Sequence, residues 1–146
     1  MYGSAEVVGL MCLRVFVGGN KSQYDALEHG ARSLGAAYQK INFLRDIKSD
    51  YMALGRMYFP DVQFDLFSEK DKQAIIDDIE HDLAVAERSM AQLPACAQAA
   101  VKASYYYYSA LLRKLKKLSV AEMLSGRVRI ANSRKIMLLM KARFGI

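Results

Sequence analysis

Apolar residues recur every three to four positions along nearly the whole chain, and sustained strand-type alternation is missing. The pattern predicts an all-α protein. A first helix is expected from Ser4 to Val17, stopped by Gly18-Gly19, because glycine tolerates the left-handed turn that ends many helices. Ser22 is placed to cap a second helix running to Met52 or Leu54. Gly55 closes it, and Pro60 keeps the stretch from Arg56 to Phe67 as one long loop. Ser68 with Asp71 resembles a capping box for a third helix, Glu69 to Gln92, with an apolar stripe of Ile75, Ile76, Ile79, Leu83 and Ala86. Pro94 suits the first turn of a fourth, Ala95 to Leu118. Ser119 with Glu122 boxes a short fifth helix that ends by Gly126, and a last helix spans Asn132 to Arg143.

The second helix carries the candidate chemistry. At 100° per residue, Gly35, Gln39, Asn42, Asp46 and Asp50 share one narrow arc, opposite Leu34, Ala37, Ile41 and Leu44. Asp46 and Asp50 are four apart, so their Cβ atoms lie about 5–6 Å from each other, and like charges there weaken a helix by roughly 0.2–0.5 kcal/mol. A divalent cation would offset that, as would the neighbouring Arg45 and Lys48. Mg²⁺ prefers hard oxygen ligands, commonly one or two carboxylates with water and phosphate. Asp46, Asp50 and the Asn42 carbonyl offer such oxygens, and Arg45 can fork onto a phosphate. The plain alternative is a solvated acidic face, the usual setting of an isolated Asp-x-x-x-Asp.

At full length the segment reads Ala31-x-x-Leu34-Gly35-x-Ala37-x-Gln39-x-x-Asn42-x-x-Arg45-Asp46-x-x-x-Asp50, then Gly55-Arg56-x-Tyr58-x-Pro60. It resembles the second aspartate-rich signature of the squalene/phytoene synthases. Tyr2, Ala5 and Val8-Gly9-Leu10-Met11 upstream agree with it, as do Tyr108-x-x-Leu111-Leu112, Gly126-Arg127-Val128-Arg129-Ile130 and Arg134-Lys135 downstream. The resemblance implies a helical bundle like the C-terminal half of the isoprenoid-synthase fold. It implies a Mg²⁺-dependent, head-to-head condensation of two prenyl diphosphates, farnesyl or geranylgeranyl, through a cyclopropyl diphosphate. Asn42, Asp46 and Asp50 would hold the metal. Arg45 would bind diphosphate with help from Arg56, and Gln39, Tyr58 and Tyr108 would contact substrate. Two departures stand out. Glu6 occupies a position where most relatives carry glycine. The family's first aspartate-rich helix has no counterpart; Asp78 and Asp82 come nearest, on what reads as a charged surface helix. The expectation is a single helical domain forming half of such an enzyme. By itself it should be impaired or inactive unless a complementing N-terminal half supplies the rest.

Composition narrows the partners. With 146 residues and 53% apolar content the chain suits one domain. Cys12 and Cys96 lie in apolar or alanine-rich runs and read as buried, reduced thiols of a cytoplasmic protein. The net charge is +6, and basic residues gather late, from Arg113 to Arg143. That suits phosphate groups or the inner face of an anionic membrane, or simply a solvated positive face. Nucleic acid is the least supported partner, because no recognition motif accompanies the charge. No run reaches the roughly 18–20 apolar residues of a membrane span. The rival to an enzyme is a non-catalytic helical module serving assembly or membrane association. Apolar surface left uncovered by a half-fold would favour a homo-oligomer.

Three further features have plain readings beside functional ones. The run Gly30, Ala31, Ser33, Gly35, Ala36, Ala37 marks a close approach, by a second helix or by an isoprenoid tail. Tyr105 to Tyr108 cover every face of their helix, with Tyr108 the one suited to substrate. His29 and His81 are isolated and read as surface or packing residues.

Overall fold

The computed structural model of the chain describes residues 3–54 and 67–144, with the backbone alone from 50 to 54. Its helices are α1 (Ser4–Phe16), α2 (Lys21–Leu54), α3 (Glu69–Met90), α4 (Ala95–Lys117), α5 (Val120–Ser125) and α6 (Asn132–Phe144), with no strand among the described residues. The expected ends hold to within two residues. Both capping boxes form. The Asp71 and Glu122 N–H groups donate to Ser68 Oγ (3.3 Å) and Ser119 Oγ (3.2 Å), and each serine N–H donates back to the carboxylate. One cap differs. Asn20 Oδ1, not Ser22, accepts from the first turn of α2, from the Gln23 N–H at 3.1 Å. Gly18 and Gly19 adopt φ +57° and +81° after α1, and this left-handed turn delivers Asn20 as the first residue able to cap. The loop expected from Arg56 lies outside the described residues up to Phe67, which is buried.

α2 is the central helix, packed by α1 and α3 along its length and by α4 and α5 further on, with α6 lying along α4. Ala37, Ile41 and Leu44 are fully buried, as the helical arc requires, against Ile76 and Ile79 of α3 and Leu111 and Leu115 of α4. Each of the buried leucine and isoleucine side chains contributes about 1.5–3 kcal/mol by leaving water. The small-residue run serves helix packing. A Cβ on Gly35 would fall 2.4 Å from the Ala5 carbonyl oxygen, and one on Gly9 would fall 2.7 Å from that of Ala31. The backbones of α1 and α2 therefore touch, and only glycine permits it.

Charged groups also join helices. Lys40 on α2 reaches Asp78 (2.5 Å) and Asp82 (2.7 Å) on α3. The helix that reads as a charged surface is thus clamped at these residues, and the Asp82 side chain is only 15% exposed. The buried Lys72 donates to the Leu118 carbonyl at the end of α4, while Glu69 accepts from the Val120 N–H (2.6 Å) at the start of α5. Cys12 and Cys96 are free thiols, as expected, but both are exposed. α1 and the start of α4 each turn one flank to the core, so their apolar runs are wider than the stripe they bury.

Candidate functional site

A cavity of about 660 Å³ lies between α1, α2, the end of α3 and α4. Phe16, Leu27, Leu34, Met90 and Leu93 make one side of it apolar, and polar groups gather where Gln39, Asn42 and Tyr108 meet it. The arc on α2 explains this. Its glycines bring α1 close, and the next turns carry amides instead of aliphatic side chains.

Asn42 Nδ2 donates to Tyr108 Oη at 3.2 Å. The Asn42 carbonyl oxygen is buried and, among the described residues, has no hydrogen-bond partner. A buried acceptor left unmade costs roughly 1–3 kcal/mol, and a donor or a cation placed there would recover it. Tyr108 is fixed from behind by stacking on Tyr38, with ring centroids 3.9 Å apart. The Tyr38 hydroxyl bonds to Ser104 Oγ (2.8 Å), which donates onward to the Val101 carbonyl. Burial pushes the Tyr38 phenol well above its ordinary range, so it stays neutral. Gln39, one turn upstream of Asn42, lies against Gly3 at the start of α1.

Asp46 lies one turn beyond Asn42. Its side chain is 18% exposed, so Asp46 itself is not freely solvated. Arg45 Nε donates to both carboxylate oxygens at 3.1 Å, and Arg127 Nε lies 2.8 Å from Oδ1. The hydrogen bond to Asp46 raises the Arg45 pKa further, beyond what burial takes away. One carboxylate thus faces two guanidinium groups beside the polar end of the cavity, and the side chain of Asp50, the next acid on this face, lies outside the described set.

Of the expected residues, the fold brings together Gln39, Asn42, Arg45, Asp46 and Tyr108. Asp50 continues α2 one turn on, with its side chain outside the described set; Arg56 and Tyr58 also lie outside it. Arg127, Tyr38 and Ser104 were not singled out as site residues from sequence. For Tyr38 a signal existed, its place directly before Gln39; Arg127 lies 81 positions from Asp46 with nothing local to pair them. Glu6, the departure noted above, folds back so that its carboxylate accepts from the Gly3 N–H (3.3 Å) and caps α1. The position stays compatible with close packing because the side chain turns away while the Glu6 backbone meets Gly35.

The chain is 42% identical over 60 residues to a bifunctional lycopene cyclase/phytoene synthase of Phycomyces blakesleeanus, covering 38% of this chain and 10% of that protein. It is 40% identical over 57 residues to the protein of the same description from Blakeslea trispora, covering 38% and 9%. The chain therefore covers about a tenth of the length of these relatives. No solved structure matches. The model of the squalene/phytoene synthase family matches residues 1–134, and the chain belongs to that family.

Proposed function

We propose that these residues form the metal–diphosphate side of a prenyl-diphosphate condensing site, acting in head-to-head prenyl transfer. The observation that carries the reading is the partnerless Asn42 carbonyl oxygen, one turn from a carboxylate held by two arginines, at the polar end of an apolar cavity. Its donor set is hard oxygen, which fits Mg²⁺. Asn42 and Asp46 would hold the ion, with Asp50 as the second carboxylate. When bound, Mg²⁺ neutralises charge on the departing diphosphate.

The chain's own residues supply the rest. Arg45 and Arg127 neutralise Asp46 in this structure, and they can turn their forked donors onto a diphosphate without leaving a charge buried. Tyr108, held by its stack on Tyr38, keeps the Asn42 amide oriented. The aliphatic and aromatic cavity wall keeps water from an allylic cation until it is captured. Gln39, Arg56 and Tyr58 are assigned to substrate contact, and farnesyl or geranylgeranyl chains are the substrate class. One aspartate-rich helix would supply only part of the ligands for a metal and its diphosphate. These 146 residues tested by themselves should therefore turn over slowly or not at all until a second such helix is supplied.

The test is calorimetric titration of the protein with a non-hydrolysable farnesyl thiolodiphosphate, with and without Mg²⁺. Binding should require the metal. Equal affinity in EDTA would remove the metal from the reading, and no binding at all would favour the non-catalytic module. Rapid diphosphate release from the authentic substrate would refute the slow turnover.

A further inference from the structure

Among the described residues, α6 carries an exposed apolar face. Ile136, Met137, Leu139, Met140 and Phe144 are each 50–63% exposed, while Leu138 is buried. At 100° per residue the five exposed side chains share an arc of about 160°. Arg143 sits within that arc, and Arg134, Lys135 and Lys141 stand on its flanks. The helix holds these four basic residues and no acidic one. Among the described residues none of the four pairs with a carboxylate; Lys135 donates to Asn132 (3.2 Å), and the Lys141 ammonium lies 5.6 Å from the Tyr106 ring centre.

A second exposed apolar stripe exists on α1, at Val7, Val8, Met11 and Val15, and it differs in two ways. It lies inside the region matched to the family, and its Val8 lines the cavity. It also has balanced charge, with Glu6 and Arg14. The exposed face of α6 begins at Ile136, past residue 134 where the family match ends, and its charge is all of one sign.

We propose that α6 docks the protein onto an anionic lipid surface. The apolar arc enters the boundary between headgroups and acyl chains, and the four cations meet lipid phosphates, with Arg143 extending out of the arc to do so. A second copy of the chain fits this face poorly, because two α6 helices face to face would bring eight cations together with no acid between them. The inference does not rest on the prenyl-transfer reading; it needs no substrate and no metal.

Co-sedimentation with vesicles tests it. Partitioning onto phosphatidylcholine vesicles containing about a quarter phosphatidylglycerol should exceed that onto pure phosphatidylcholine at least about tenfold, and should fall with added salt. The double variant Ile136→Ser/Met140→Ser should lose about tenfold of it with unchanged helical circular dichroism, while Val7→Ser/Met11→Ser on α1 stays within about twofold. If the serine pair unfolds, Arg134→Gln/Lys141→Gln, which alters no buried group, should lower anionic partitioning several-fold. Equal partitioning on both vesicle types, or none lost in the α6 variants, would overturn the proposal. A dimer in solution that the serine pair splits would assign the face to a second copy and overturn it equally.

Discussion

Two Asp-x-x-x-Asp pairs lie in the described helices, and they have opposite fates. Asp78 and Asp82 on α3 close around one lysine, Lys40, at 2.5 and 2.7 Å. On α2 the first carboxylate of the pair, Asp46, is instead surrounded by two guanidinium groups, Arg45 and Arg127. The first cluster has a surplus negative charge and joins two packed helices. Around Asp46 two cations meet the one described carboxylate, and one of them comes from the segment after α5 with its side chain half exposed. The same spacing on a helix face thus serves as a clamp where a neighbouring helix supplies one cation. It becomes a candidate anion site where two guanidinium groups gather on one described carboxylate and an apolar cavity lies alongside.

The comparison breaks hardest at Asp46. Asp46→Asn removes the charge of the proposed metal ligand and should weaken Mg²⁺-dependent binding of the thiolodiphosphate about 100-fold, or roughly 2.7 kcal/mol. Because the Asp46 pairs are only partly buried, unfolding free energy should change by less than about 1 kcal/mol. Calorimetry and urea titration on the same preparation separate the two. A variant that loses stability yet binds normally would make Asp46 another clamp.

Lys40→Met should do the reverse. It leaves two aspartates four residues apart with no cation, and should lower stability by about 1 kcal/mol, read as a lower urea midpoint at unchanged slope. Analogue affinity should stay within about twofold. Parallel losses in both measurements would show that the clusters are coupled through α2. A finer probe is Tyr108→Phe, which keeps the stack on Tyr38 but removes the acceptor for Asn42. Affinity should fall about threefold and stability by about 0.5–1 kcal/mol.

What could be read from the chain follows the range of the interaction. Helix ends depend on contacts within a few residues, and Ser68 with Asp71 or Ser119 with Glu122 states such a contact outright. The Asn20 cap was missed because Ser22 is an equally good capping residue two positions on, and only the left-handed turn at Gly18-Gly19 decides between them. The buried arc of Ala37, Ile41 and Leu44 came from periodicity alone. The long-range pairs did not. Lys40 meets Asp82 across 42 positions and Asp46 meets Arg127 across 81, with no local signal for either. Whether an Asp-x-x-x-Asp is clamp or site depends on those partners, so the motif gained its meaning from the family resemblance and not from its spacing. The exposed cysteines fail for a related reason, since an apolar run does not say which flank meets the core.

The smallest effect distinguishes the clamp by pH. Burial pulls the Lys40 ammonium down, but Asp78 and Asp82 together outweigh it, and its pKa stands above the ordinary value. A folded-state pKa raised above the unfolded one, about 10.4 for lysine, contributes stability that is complete below that pH and fades as pH rises through the folded value. The difference in unfolding free energy between the native chain and Lys40→Met should therefore be flat from about pH 6 to 9 and shrink only in stronger alkali. The capping carboxylates behave in the opposite sense. Hydrogen bonds from Ser68 hold Asp71 low, and the Ser119 N–H and hydroxyl do the same for Glu122, so their contribution is present above about pH 4 and fades as pH falls through their lowered values. Urea midpoints at pH 6, 8, 10 and 11 resolve the alkaline limb. Shrinkage already between pH 7 and 9 would mean that burial outweighs the two aspartates, and the α3 pair would then be a strained contact instead of the clamp that sets it apart from Asp46.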